Sequence, residues 1–168
     1  MLESIITSKT RLRLLIKFFI NAANHGYLRG LATEMHENTN AIRKELNNLS
    51  EAGYLLKKEE GVRVTYQANQ AHPLFSLLQK IVRKYVGLDT IIEQVISRAG
   101  QLKRVFLIGD YAKGIDSGLI EIVLEGDQID NDYLAQLIQK VEKEIGKKVK
   151  VNTTDAFDQE GLLLYEQE

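Results

Sequence analysis

Between Leu31 and Gln67 the apolar residues change their period, and that change constrains the fold more than any other feature of the chain. Leu31, Ala32 and Met35 share one helical face until His36-Glu37-Asn38 interrupts it. Asn38, Thr39 and Asn40 each carry a side-chain oxygen able to accept the free N–H groups that open a new helix. That helix places Ile42, Leu46, Leu49 and Ala52 on one stripe and Asn40, Arg43, Lys44 and Asn47 on the opposite face. Gly53 closes it. Two short runs, Leu55–Lys58 and Val62–Gln67, then flank Glu59-Glu60-Gly61, a pattern that predicts a β-hairpin.

Helix, tight turn, helix and hairpin in this order read as a helix-turn-helix followed by a wing. A short helix with amide and guanidinium groups on its outer face fits the major groove, where those groups read base edges. The expected DNA-binding residues are Asn38, Thr39, Asn40, Arg43, Lys44, Asn47 and the wing residue Arg63. A competing reading is a protein-docking module, in which Arg43 and Lys44 form a solvated face and Glu59 and Glu60 would repel phosphate.

The charge distribution favours DNA. The formal net charge is only −1, but it is unevenly spread. Residues 1–87 hold 13 Lys+Arg against 7 Glu and no Asp, a surplus of +6. Residues 88–168 hold 9 Lys+Arg against 16 acids, a balance of −7. Such asymmetry between halves assigns nucleic-acid contact to the basic half.

At 168 residues the chain accommodates two small domains, each marginal alone. With no cysteine, disulfides, thiolate zinc sites and thiol chemistry are excluded. The apolar run Leu14–Ile20 is short and broken by Lys17, so neither a signal peptide nor a membrane span is expected, and the default location is cytoplasmic.

Along the basic half, Ser8 is positioned to cap a helix from Lys9 to about Ala23, with Leu12, Leu15, Ile16, Phe19 and Ile20 inward. The segment Asn24-His25-Gly26-Tyr27 reads as a turn. After the hairpin, His72-Pro73 opens a helix whose stripe is Leu74, Leu77, Leu78, Ile81, Val82 and Tyr85, with proline at the first helical position. Gly87 breaks it, and a further helix follows to about Ala99.

The acidic half switches to alternating strands and helices. Arg104–Ile108 and Leu119–Leu124 read as strands, Asp130–Ile145 as a helix, Lys148–Asn152 as a third strand and Leu162–Tyr165 as a fourth. The expected fold is therefore α+β: a winged helix-turn-helix domain over 1–87 and a small α/β domain over 88–168.

The loop Gly109-Asp110-Tyr111-Ala112-Lys113-Gly114, set between two strands, resembles that of the minimal nucleotidyltransferase domain, whose pattern is Gly-Ser-x-Ala-x-Gly followed by a strand bearing Asp-x-Asp. The joint His72-Pro73-Leu74-Phe75, its helix through Leu88 and the tail Val149–Asp155 resemble bacterial regulators that fuse an ArsR-like winged helix to such a domain. The resemblance covers nearly the whole chain. It implies a metal-dependent site, in which two carboxylates on one strand face hold the cation that bridges nucleotide phosphates.

The departures from that pattern decide the expectation. The carboxylate positions are occupied by Leu119 and Glu121, and the phosphate-holding serine by Asp110. Leucine ligates nothing, and Asp110 repels a triphosphate. Gly109, Asp110, Lys113, Gly114 and Glu121 thus read as a degenerate nucleotide loop, with Asp116 the nearest substitute oxygen. His25, His36 and His72 fall at a turn, a helix end and a helix start, so none reads as a ligand or base. The expectation is a DNA-binding transcriptional regulator, not an enzyme, with no catalytic residues, metal or cofactor. Its inactive second domain would serve dimerisation, docking or sensing of an unspecified effector. Its partners would be double-stranded DNA and a second copy of itself, with no membrane. The alternatives are an active nucleotidyltransferase using Glu121 and Asp116, and a protein-interaction module without DNA binding.

Overall fold

A computed structural model describes every residue except Ala99, on which the end of the helix expected up to that position falls. The fold is mixed α+β, with two compact units, Met1–Tyr85 and Val86–Glu168. No helix among the described residues is long and apolar enough to cross a membrane.

The first unit begins with α1 (Lys9–Phe19), capped by Ser8, whose hydroxyl accepts from Arg11 N at 3.1 Å. The helix ends four residues earlier than its apolar pattern predicts, because Ile20 is the C-cap and Asn24 folds back onto Lys17 O. It is buried almost all round: Leu14, Phe18 and Phe19 are fully enclosed. The expected turn at His25–Tyr27 is instead a short strand, β1, paired antiparallel with a later strand. Three residues are too few to show a period of two, so only the pairing reveals it.

Next come α2 (Leu28–Met35) and α3 (Thr39–Glu51). His36 leaves α2 in the left-handed conformation (φ 53°), and Asn38 caps α3 by accepting from Ala41 N at 2.8 Å. Ile42, Leu46 and Leu49 are buried as their spacing predicts, whereas Ala52, expected on the same stripe, is exposed. The hairpin follows as β2 (Leu55–Glu60) and β3 (Arg63–Ala68), turning at Gly61-Val62, in a sheet ordered β1-β3-β2.

The fourth helix, α4 (Phe75–Val86), starts two residues after Pro73. Pro73 lies in the preceding turn, closed by Leu74 N donating to His72 Nδ1 and Phe75 N donating to His72 O. The His72 ring rests on Tyr54, with centroids 4.3 Å apart. Only part of the expected stripe on α4 is covered. Val82 is buried, while Leu74, Leu77 and Ile81 are exposed; Val86, outside the expected stripe, is buried as well.

The second unit contains α5 (Leu88–Arg98), β4 (Gln101–Ile108), the short α6 (Gly109–Ala112), β5 (Leu119–Asp127), α7 (Asn131–Ile145), β6 (Lys148–Thr154) and β7 (Leu162–Glu166). The sheet order is β6-β5-β4-β7, with β5 and β6 parallel and the other pairs antiparallel. Both central strands run longer than their apolar cores predict. Gly126 continues β5 by pairing with Leu102, and a Cβ there would collide with Gln101 O at the irregular start of β4. Glu125, buried in β5, accepts from Arg104 Nε (3.1 Å), Arg104 Nη2 (2.5 Å) and Phe157 N (2.8 Å), which ties the segment before β7 to the sheet. Asp130 caps α7 by accepting from Tyr133 N.

Candidate nucleic-acid interface

The outer face of α3 begins with Asn38, whose side chain is engaged as the cap. Asn40, a second candidate cap by sequence, is the second residue of the helix and accepts from Arg43 Nη1 at 2.9 Å instead. Arg43 and Lys44 are exposed, and Asn47 is half-buried. Beside this face, the β2–β3 hairpin brings Arg63 forward. Between α3 and the hairpin lies a cleft of about 600 Å3, lined by Tyr27, Leu28, Arg29, Arg43, Leu46, Asn47, Val62, Arg63, Val64 and Tyr66. Of the residues nominated from sequence, Arg43, Asn47 and Arg63 line the cleft. Asn38, Thr39, Asn40 and Lys44 occupy the first turns of α3 and lie outside its lining.

The cleft carries three arginines and no carboxylate. Two of its lining groups escape a reading of the sequence. Arg29 sits in the first turn of α2, and Tyr27 belongs to β1, an element without a periodic signal. The Arg63 guanidinium lies over the Tyr27 ring, 4.1 Å from its centroid.

Three other basic residues of this unit are committed to carboxylates elsewhere. Arg11 pairs with Glu45 (2.7 Å), Lys17 with Glu34 (2.8 Å), and Arg13 with Glu37. Burial alone would raise the Glu45 carboxyl, yet hydrogen bonds from Arg11 and Ser8 hold it below the usual carboxylate range. On the hairpin, Lys58 pairs with Glu60 at 3.0 Å, which offsets one of the two carboxylates expected to repel phosphate. The positive surplus at the cleft therefore rests on Arg29, Arg43 and Arg63, with Lys44 alongside on α3.

In the second unit, the loop after β4 brings Gly109, Asp110, Lys113 and Gly114 around the short α6. Gly109 has φ +69°, and a Cβ there would collide with the Glu121 carboxylate. Glu121 thus packs directly on the loop, with Lys150 Nζ 3.8 Å away. Leu119, two residues earlier on the same strand face, is part-exposed and offers no oxygen. Asp116 accepts from the hydroxyl of buried Tyr111, which also accepts from Gly118 N at 3.1 Å, so its carboxylate anchors the loop. This donor set does not fit the divalent cation that such a loop would otherwise hold, since a hard cation needs several convergent oxygens. Among the described residues, no three His, Cys, Asp or Glu side chains cluster as a metal site.

No family model matches the chain, and no curated protein matches it. One solved structure, human N-acetylserotonin methyltransferase in complex with SAM, is similar at 12% identity and a TM-score of 0.33 over 59% of this chain. The match spans 33% of that enzyme, and a likeness this slight carries no argument about fold or activity.

Proposed function

We propose that this protein is a DNA-binding transcriptional regulator, with a winged helix-turn-helix head and a nucleotidyltransferase-like second domain that has lost its chemistry. In this reading α3 is the recognition helix and the β2–β3 hairpin is the wing. The observation that carries it is the carboxylate-free cleft lined by Arg29, Arg43 and Arg63, with Asn47 between helix and wing. A duplex backbone supplies the phosphates such a cleft neutralises, and the amide of Asn47 suits the edge of adenine.

Helix-turn-helix proteins commonly read two half-sites one helical turn apart, so the working form is proposed to be a homodimer. The face offered to a second copy is the exposed strip of Leu77 and Ile81 on α4, with Leu74 in the turn just before it. The helix α1 is consumed in the core of its own unit and offers no such face. In the second domain, the Leu119–Glu121 pair and the engaged Asp116 support the absence of nucleotidyl transfer. As a DNA-binding regulator, the protein is proposed to be cytoplasmic.

The test is selection of the full chain against a randomised duplex library, followed by titration of the selected duplex over a range of salt. Each phosphate contact contributes a slope of about −0.9 in log K against log salt. Replacing Arg43, Lys44 or Arg63 by alanine should each reduce the slope by about one where that residue contacts phosphate. Absence of duplex affinity at low salt would overturn the proposal in favour of a protein-docking role.

A further inference from the structure

Gly30 lies in the first turn of α2, where glycine is a poorer helix former than alanine. Its backbone angles are helical and need no glycine, so the reason lies in what surrounds it. A Cβ at Gly30 would stand 2.9 Å from Tyr27 Cζ and 3.0 Å from Cε1, so the ring at the end of this part-exposed side chain would have to shift from its place by a few tenths of an ångström. The missing side chain therefore makes room for the Tyr27 ring. The Arg63 guanidinium lies over that same ring, 4.1 Å from its centroid, and both residues line the cleft beside α3. Three elements meet there: α2 gives the space, β1 the ring and β3 the cation.

We propose that Tyr27 is a positioning residue for Arg63, and that Gly30 exists to seat its ring. Resting on the reading of the cleft as a DNA interface, the inference identifies what holds the wing arginine ready for the duplex. A long, exposed side chain loses rotamer freedom when it binds phosphate. A guanidinium already stacked on an aromatic face is partly ordered beforehand, so less is lost on contact. The Tyr27 hydroxyl has no part in this, and the ring alone is required.

The full chain is titrated with a fluorescein-labelled duplex of mixed sequence at low salt, as wild type and as variants. Tyr27→Phe keeps the ring and should bind within about twofold of wild type. Tyr27→Leu should weaken binding about threefold to tenfold, the range set by the strength of a cation–π contact. Gly30→Ala should weaken binding similarly, although alanine is the better helix former and the melting temperature should not fall. In an Arg63→Ala background, Tyr27→Leu and Gly30→Ala should cause no further loss, because the group they position is gone. Equal losses in both backgrounds would overturn the proposal.

The Arg63 Nε–Hε resonance gives a readout independent of DNA. It should be shifted by the ring current in wild type and Tyr27→Phe, and should return toward the free arginine position in Tyr27→Leu. An unshifted wild-type resonance overturns the platform itself. A shifted resonance in a protein without duplex affinity leaves the platform standing and overturns the DNA reading instead.

Discussion

Arg11 Nε donates to Glu45 Oε2 at 2.7 Å, and the buried carboxylate of Glu45 thereby ties α1 to the inner side of α3. Ser8 takes part twice: its oxygen caps α1, and its hydroxyl donates to Glu45 Oε1 at 2.9 Å. The helix proposed to read DNA is thus held at its back by an ion pair while Asn40, Arg43 and Lys44 on its outer face stay exposed. Breaking a buried ion pair from one side is costly, since the remaining charge has no partner. Arg11 is 42% exposed, which moderates that cost.

Glu45→Ala should destabilise the first unit by about 2 kcal/mol, read by urea denaturation at neutral pH. The same contact predicts an acid dependence. The folded carboxyl titrates below its ordinary value of 4.5, so its contribution is complete above that pH and is lost as pH falls through the folded value. Glu45→Gln should abolish this part of the loss of stability below pH 4.5. A variant whose stability falls with acid as steeply as wild type would exclude this contribution.

Asn38 and Asn47 are predicted to behave oppositely. The Asn38 side chain is committed to Ala41 N, so Asn38→Ala should cost about 1 kcal/mol of stability through the lost cap. Asn47 lines the cleft, and Asn47→Ala should relax preference among duplex sequences, a single base-edge pairing being worth about 1–3 kcal/mol. Melting curves and competition binding on selected and scrambled duplexes separate the two. An Asn47→Ala protein that discriminates as well as wild type would remove it from base readout.

Magnesium with nucleoside triphosphate should produce neither transfer nor a thermal shift, because Leu119 supplies no ligand and Glu121 packs on Gly109. A ligand at 100 times its Kd would stabilise the fold by about 2.7 kcal/mol, well within reach of a melting experiment. Leu119→Asp combined with Asp110→Ser should recover measurable metal-dependent nucleotide binding. Transfer by the unaltered chain would restore the enzyme reading, with Asp116 released from Tyr111.

The exposed strip on α4 predicts a dimer in solution. Sedimentation of the full chain should show a two-subunit species that Leu77→Lys with Ile81→Lys converts to monomer. Both side chains are about half exposed, so the melting temperature of the monomeric unit should change little. A wild-type chain that sediments as a monomer at tens of micromolar would assign the strip another role.

The local elements were legible from sequence because each rests on short-range chemistry. Ser8, Asn38 and Asp130 cap their helices through oxygens a few residues from the N–H groups they satisfy. The hairpin turned where Gly61 permits, and the stripe Ile42, Leu46 and Leu49 chose the inner face of α3. Tertiary structure alone decided which equivalent-looking faces are covered. The stripes of α1 and α4 look alike as periodicities, yet one is enclosed and the other keeps Leu77 and Ile81 in solvent. Pairing likewise turned His25–Tyr27 into a strand, and ion pairing withdrew Arg11, Arg13 and Lys17 from the basic count. The stacking of Arg63 on Tyr27 joins residues 36 positions apart in the chain. Periodicity reports a residue's relation to its own helix or strand, whereas burial and charge pairing depend on what the rest of the chain brings against it.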